Sequence, residues 1–382
     1  MTISDCSERE LIARIQARLP PPPDWLLVGI GDDAAVVEPE RHRAEVLTVD
    51  ALVEGVHFDR AFVPPDAIGH RALAVNLSDL AAMGAAPRLA LLSLALPPGL
   101  LIADFDGLVA GIAALAERTR VHVVGGNLTR STGPLMIDIS LTGTVKPRQV
   151  LKRSGARPGD TLYVSGTIGA AAVGLMMLRN STTHPKRSTT GDTKDTEEQS
   201  RSGNVLTSVS PVSSVVERCI QRYLRPEPRV RLGLMLARNR AASACMDLSD
   251  GLSDAVYQIA AASGVGARID AGALPIEPCA REVFAARGAD PVTEAITGGD
   301  DYELLVAVRP RTRGRLAAAI RHGAVPLTRI GVCTEDRAVV LSRDGGDTPL
   351  PGGGYSHFRS AEASSLDHAR DDPARVEGSR AT

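Results

Sequence analysis

Acidic residues recur beside glycine where apolar runs meet turns, and they do so in both halves of the chain. Asp32 and Asp33 follow Gly31 in "GIGDDAAV", Asp50 ends "EVLTVD", and Asp79 lies in "AVNLSDLAAMG". Further on, Asp247 and Asp250 fall in "CMDLSDGL", and Asp300 and Asp301 in "ITGGDDYELL". Taken singly, each reads more readily as a turn or helix N-cap residue, since Asp and Gly are ordinary turn chemistry. As a set they suit a ligand site, because carboxylates at strand ends converge on the rim where open α/β sheets bind ligands.

The glycines of "GIGDDAAV" allow other readings that the aspartates exclude. Gly29-x-Gly31-x-x-Ala34 fits the permissive dinucleotide fingerprint, but two aspartates would face a pyrophosphate that needs backbone N–H groups and a helix dipole. No GxxxxGK[ST] phosphate loop occurs, and Asp32-Asp33 does not open an EF-hand loop. What remains is a carboxylate cluster that binds hard cations, with the cations binding phosphates. Mg2+ takes oxygen ligands and is commonly held by one or two carboxylates plus substrate phosphates. Phosphoryl transfer depends on positioning and charge neutralisation, so the pattern fits a kinase without a P-loop. Acids from both halves place the ligand in a cleft between domains or subunits.

The elements that must position these acids follow from periodicity. Ser7-x-x-Glu10 is a capping box, and Leu11, Ile12, Ile15 and Leu19 recur at helical spacing until the proline run at Pro20. Strands are expected at 45–50, 90–96, 121–124 and 135–145, with helices around 66–83 and 104–118. In "LMIDISLTGTV", Ile137, Ile139 and Leu141 alternate with Asp138, Ser140 and Thr142. The polar "KRSGARPGD" at 152–160 breaks the chain near residue 150, giving domains at 1–150 and 151–360. Strand-like segments at 161–166, 243–247, 302–308 and 338–342 and a helix-like one at 170–178, with the ordered chain resuming at 215–224, make the whole an α/β or α+β protein. Segment 180–214 is rich in Ser, Thr, Lys and Glu and is expected to be a disordered insertion, as is the tail 361–382.

Composition narrows the function classes. A chain of 382 residues is long enough for two domains, and a formal charge of -2 offers no basic field for nucleic acid. The amino end lacks an apolar signal core, and "RLALLSLALPPGLL" is broken by Pro97 and Pro98 well short of a membrane span. Five widely spaced cysteines without a CxxC pair argue against a disulfide framework or a zinc knuckle. A cytoplasmic protein with neither membrane nor nucleic-acid partner is expected.

Eight motifs in order resemble one family, the thiamine-monophosphate kinases of the aminoimidazole-ribonucleotide-synthetase-like superfamily. They are "GIGDDAAV", "VDALVEGVHF", "HRALAVNLSDLAAMGAAP", "VVGGNLTRS", "LKRSGARPGD", "MDLSDGLSDA", "GGDDYELL" and "GGGYSHF". The resemblance implies a kinase that converts thiamine phosphate to thiamine diphosphate with ATP and several Mg2+ ions. It implies an N-terminal α/β domain that forms a homodimer through its sheet, a C-terminal α/β domain, and nucleotide in the cleft. Carried over by motif, Asp33, Thr48, Asp50 and Asp79 would hold metal from the first domain, and Asp247 and Asp250 from the second. Ser249, Arg153 and a turn at Gly126 would contact nucleotide, while His57, Asp300 and Tyr355 would line the thiamine phosphate pocket. On residue type alone, Arg153 is equally a solvated turn residue, His57 reads more readily as a core histidine, and Tyr355 either stacks on the ligand or covers the core edge.

Two positions depart from the family pattern. Gly125-Gly126-Asn127-Leu128-Thr129-Arg130 stands where the family commonly has Gly-Gly-Asp-Thr-Thr-Arg, so Asn127 offers metal or nucleotide a carbonyl oxygen without charge. Val49 stands where a threonine is common, leaving only its main-chain carbonyl to coordinate. The alternatives are an enzyme of the same superfamily with another small acceptor, or a catalytically silent nucleotide or thiamine diphosphate binding protein.

Overall fold

Helix α1 (Glu8–Gln16) begins at the capping box: the Glu10 N–H donates to Ser7 Oγ at 3.3 Å, and the Ser7 N–H donates to Glu10 Oε2 at 2.7 Å. The structure, a computed structural model, describes residues 1–183 and 211–353. The first half continues through β1 (Leu26–Val28), β2 (Val36–Val37), β3 (Ala44–Val53), α2 (Pro65–Ala82), β4 (Ala86–Leu96), α3 (Ile102–Thr119), β5 (His122–Arg130) and β6 (Met136–Val145). β1 and β2 pair separately, and the others form a four-stranded sheet in the order β3-β6-β4-β5, antiparallel except for β4 with β5. Ile137, Ile139 and Leu141 of β6 are buried on the face that α2 and α3 cover, as their alternation implies.

The second half contains β7 (Thr161–Ser165), α4 (Ala170–Thr183), α5 (Pro211–Leu224), α6 (Val230–Asn239), β8 (Ala244–Asp247), α7 (Leu252–Ser263), β9 (Gly266–Asp270), α8 (Pro278–Ala286), α9 (Pro291–Thr297), β10 (Leu304–Val308), α10 (Arg313–Gly323), β11 (Leu327–Thr334), β12 (Val339–Arg343) and β13 (Gly346–Pro349). Its seven strands run in the order β13-β12-β9-β11-β7-β10-β8, with only β12 and β9 parallel. Helices laid on largely antiparallel sheets make the architecture α+β.

Helix α2 is the shared spine of the two halves. Pro65 occupies its first turn, where a missing N–H costs nothing, and nearly every residue is buried whichever way it faces. It packs on α3 and β6 of its own half and on α6 and β8 of the other. The crossing with α3 is backbone against backbone: a Cβ at Gly69 would lie 1.9 Å from the Leu108 carbonyl oxygen, and one at Gly111 2.0 Å from that of Asp66.

Two ends of the segment expected to be disordered are helical, since 180–183 closes α4 and 211–214 opens α5. Composition misled there because a helix already begun on buried residues propagates into a polar turn at small cost. Residues 184–210, Tyr355 and the tail 361–382 lie outside the described residues.

Candidate active site

Carboxylates of both halves meet around the end of α2. Asp79 on α2 accepts a hydrogen bond from the Thr48 hydroxyl of β3, and its neighbour Ser78, fully buried, donates to Asp247 Oδ2 at the end of β8 at 2.8 Å. Asp50 lies two residues beyond Thr48 on the same face of β3. Burial, then the charges of Asp79, Asp138 and Asp250, pushes the Asp50 carboxyl up to about 6. Burial and Asp79 push Asp247 up to about 7, against the Ser78 hydroxyl and Arg153. Asp79 is raised by burial, with Thr48 and Arg153 opposing. Arg153, whose guanidinium also donates to Gln258, is thus a cation that Asp79 and Asp247 face. The geometry brings together Thr48, Asp50, Asp79, Asp247, Asp250 and Arg153.

Asn127 falls on the other face of the first sheet, beside the loop that carries Asp33, whereas Gly126 shares the cross-strand row of Asp50, Ile139 and Leu92. Cross-strand register aligns Ala51, Asp138, Ser93 and Asn127 in one row, and the last three with the Gly31, Asp32 and Asp33 loop line a cavity of 1520 Å³. Asp138 links the two groups, since its charge acts on Asp50. Gly126 is not in a turn, as its glycine pair suggested, but within β5. A Cβ there would lie 1.8 Å from the Leu92 carbonyl oxygen, so the glycine serves the close approach of β5 to β4 beside a register shift at Ala90/Leu91. Val49 points its side chain outward, 58% exposed, and leaves only its carbonyl to coordinate.

The motifs "MDLSDGL" and "GGDDYELL" are stitched together just beyond the β8/β10 ladder. The Leu248 N–H donates to the Glu303 carbonyl at 2.8 Å, the Tyr302 N–H to Leu248 at 3.1 Å, and the Asp300 N–H to Ser249 at 2.8 Å. Asp300 accepts from Arg71 Nη2 at 3.1 Å and from the Tyr302 hydroxyl at 3.0 Å, both on Oδ1. Arg71 lies 4.3 Å above the Tyr223 ring, and the Tyr223 hydroxyl donates to the His57 carbonyl at 3.4 Å. His57 Nδ1 accepts the Val53 N–H at 3.0 Å, which leaves the ring proton on Nε2. His57 and Asp300 are therefore linked through Arg71 and Tyr223.

The other acids of "GGDDYELL" have structural work. Asp301 Oδ2 accepts the Gly169 N–H at 2.7 Å at the start of α4, and burial pushes its carboxyl up to about 7. Glu303 is fully buried and accepts from Ser165 Oγ, from Arg222 Nη2 at 2.7 Å and from Arg229 Nε at 2.7 Å.

The donors around Asp50, Asp79 and Asp247 are oxygens whose charge is disfavoured by burial and by one another, a set that a hard cation satisfies. Among the described residues no three His, Cys, Asp or Glu side chains close on one point as a preformed cage.

Known proteins carry the same framework. The AIR synthase related protein N-terminal domain matches residues 31–145, and the corresponding C-terminal domain matches 157–344. The thiamine-monophosphate kinase of Escherichia coli K12 is 37% identical over 355 residues, covering 92% of this chain and 98% of the relative. The chain belongs to the thiamine-monophosphate kinase family. The Bacillus subtilis member is 32% identical, covering 87% of this chain and 94% of its own length. The crystal structure of the Stenotrophomonas maltophilia enzyme superposes with a TM-score of 0.73 at 36% identity, covering 91% of this chain and 99% of that one. A family structure described as AaThiL complexed with AMPPCP and TMP gives 0.67 at 31% identity, covering 94% of this chain and 99% of that one.

Within this family member, sequence reasoning passed over Ser78, Asp138, Tyr223 and Arg71. Asp138 was legible as a polar residue on the open face of an alternating strand. Ser78 and Arg71 sit in a helix buried all round, where no periodicity separates a site residue from a packed one.

Proposed function

We propose that this chain transfers the γ-phosphoryl group of ATP to thiamine phosphate, forming thiamine diphosphate and ADP. The observation that carries the reading is the meeting of acids from both halves, Asp50 and Asp79 with Asp247, in a family whose AaThiL member holds AMPPCP and TMP. The acceptor phosphate has a second pKa of about 6 and is already nucleophilic near neutral pH, so no general base is assigned. Its oxygen bonds to the γ-phosphorus as the bond to the ADP oxygen breaks, and the chemistry turns on charge and alignment.

Asp33, Thr48, Asp50, Asp79, Asp247 and Asp250, with Asn127 and the Val49 carbonyl, would hold Mg2+. Bound there, Mg2+ neutralises polyphosphate charge. Ser249, Arg153, Gly126 and Asn127 would contact nucleotide, and Arg153 offers a planar fork to phosphate oxygens. His57, Asp300 and Tyr355 would line the acceptor pocket. The domains divide near residue 150 and work in the cytoplasm. Leu47, Val49, Leu91 and Met136 are exposed on the first sheet and its edge, which supports a homodimer formed through it, and a monomeric mass in solution would refute that.

Purified protein should form thiamine diphosphate from thiamine phosphate and ATP with Mg2+ and cease with excess chelator. Folded protein that binds Mg-ATP but yields no product would overturn the reading and favour another acceptor.

A further inference from the structure

Arg71 has no role assigned so far, yet it is 2% exposed and sits two helical turns before Asp79 on α2. A buried guanidinium is costly unless its charge and donors are met. Here Nη2 donates to Asp300 Oδ1 at 3.1 Å, Nη1 donates to the Tyr223 carbonyl, and the cation stacks 4.3 Å from the Tyr223 ring centroid. Its Nε has no hydrogen-bond partner among the described residues. Burial works against the charge, but Asp300, Tyr302 and Tyr223 more than offset it.

Asp300 is held in an unusual posture. Its φ is 68° and that of Tyr302 is 50°, left-handed values that are uncommon outside glycine, more so for tyrosine than for aspartate. Two donors, Arg71 Nη2 and the Tyr302 hydroxyl, take the same oxygen, and among the described residues Oδ2 accepts no hydrogen bond. Asp300 remains 33% exposed, so the second oxygen is what it can offer a ligand.

We infer that Arg71 is a positioning residue for the acceptor: it fixes Asp300 with Oδ2 available to the cationic ring system of thiamine phosphate and fixes Tyr223 beneath His57. The inference rests on the reading of Asp300 as an acceptor-pocket residue. The planar fork is what the role requires, since one guanidinium reaches a carboxylate, a carbonyl and a ring face together. Lysine keeps the charge but not the fork.

The test is steady-state kinetics of Arg71→Lys, Asp300→Asn and the double variant beside the unaltered protein, varying thiamine phosphate and ATP separately. A charge-assisted hydrogen bond lost on the acceptor side predicts a KM for thiamine phosphate raised about tenfold or more in Arg71→Lys. The KM for ATP should stay within about twofold, and the double variant should be no worse than Asp300→Asn alone, because coupled residues are non-additive. A purely structural Arg71 would lower the melting temperature and disturb both KM values alike, or act additively with Asp300, and either result overturns the inference. If Arg71→Lys does not fold, Tyr302→Phe removes the other donor to Oδ1, and an unchanged acceptor KM then overturns it equally. Thiamine diphosphate formation by the unaltered protein with an unchanged acceptor KM in Arg71→Lys sinks this inference alone, whereas no formation by the unaltered protein sinks both readings.

Discussion

Replacing Asp247 by Asn should stabilise the metal-free protein, and increasingly so as pH rises. Asp247 ordinarily titrates at 3.8 but is pushed up to about 7 in the fold by burial and by Asp79. Because the folded value lies above the unfolded one, the folded state holds the extra proton between them, and stability falls as pH climbs through that range. Between about pH 5 and about pH 8 the linkage integrates to roughly 3 kcal/mol of lost stability from this group. Asn removes the titration while keeping a carbonyl oxygen for the Ser78 hydroxyl, now 2.8 Å from Oδ2. Without metal, the variant should already melt slightly above the unaltered protein near pH 5, and the gap should widen by about 4 °C by about pH 8. Mg2+ at about a hundred times its Kd should then return about 2.7 kcal/mol to the unaltered protein and less to the variant. Thermal melting at both pH values, with MgCl2 or with chelator, reads all of this. A gap that fails to widen with pH, or equal stabilisation of both proteins by Mg2+, would refute the account of crowded, cation-seeking acids.

Glu303→Gln should cost about 3–5 kcal/mol by leaving the Arg222 and Arg229 charges uncompensated, and a change under about 1 kcal/mol on denaturant unfolding would deny that the buried group is a hub. Gly126→Ala should cost about 3 kcal/mol or more, since the new methyl would sit 1.8 Å from the Leu92 carbonyl oxygen, and a normal melting temperature would contradict the close strand approach. Asn127→Asp adds charge to the row that holds Asp138, so the Mg2+ concentration for half-maximal turnover should fall roughly threefold while kcat changes less than about tenfold. A hundredfold gain in kcat, on the order of 2.7 kcal/mol, would show that Asn127 cripples the site.

Much of the framework was legible because local chemistry and tertiary packing agree. Ser7 and Glu10 cap α1 reciprocally, and the Ile137, Ile139 and Leu141 alternation buries the face of β6 it implies. β5 was read too short: 121–124 is its apolar part, but it runs on through Gly125 and Gly126 to Arg130, because glycines that signal a turn also permit a strand to press against its neighbour. Asp247 stands at the end of β8 as its motif implied, but Asp50 lies inside β3, read too short at 45–50, and Asp79 lies inside α2, so neither sits beside a turn. Nothing local could sort Asp300, Asp301 and Glu303, which stand almost consecutively and face Arg71, a helix start and two other arginines. Their tasks are set by residues distant in sequence.

Helix α2 also acts as a ruler. Arg71 and Asp79 are eight residues apart, so about 12 Å of axial rise separates the side chain that holds Asp300 from the one among the acids. With its crossing against α3 fixed backbone to backbone at Gly69 and Gly111, the helix cannot slide to adjust that spacing. A single residue inserted between the two positions would turn Asp79 by about 100° away from Thr48 and detach Ser78 from Asp247, while Arg71 stayed in place. The span between Asp300 and the acids around Asp79 is thus written into the pitch of one helix, and under the proposed roles a longer or shorter acceptor would need a different helix rather than a different loop.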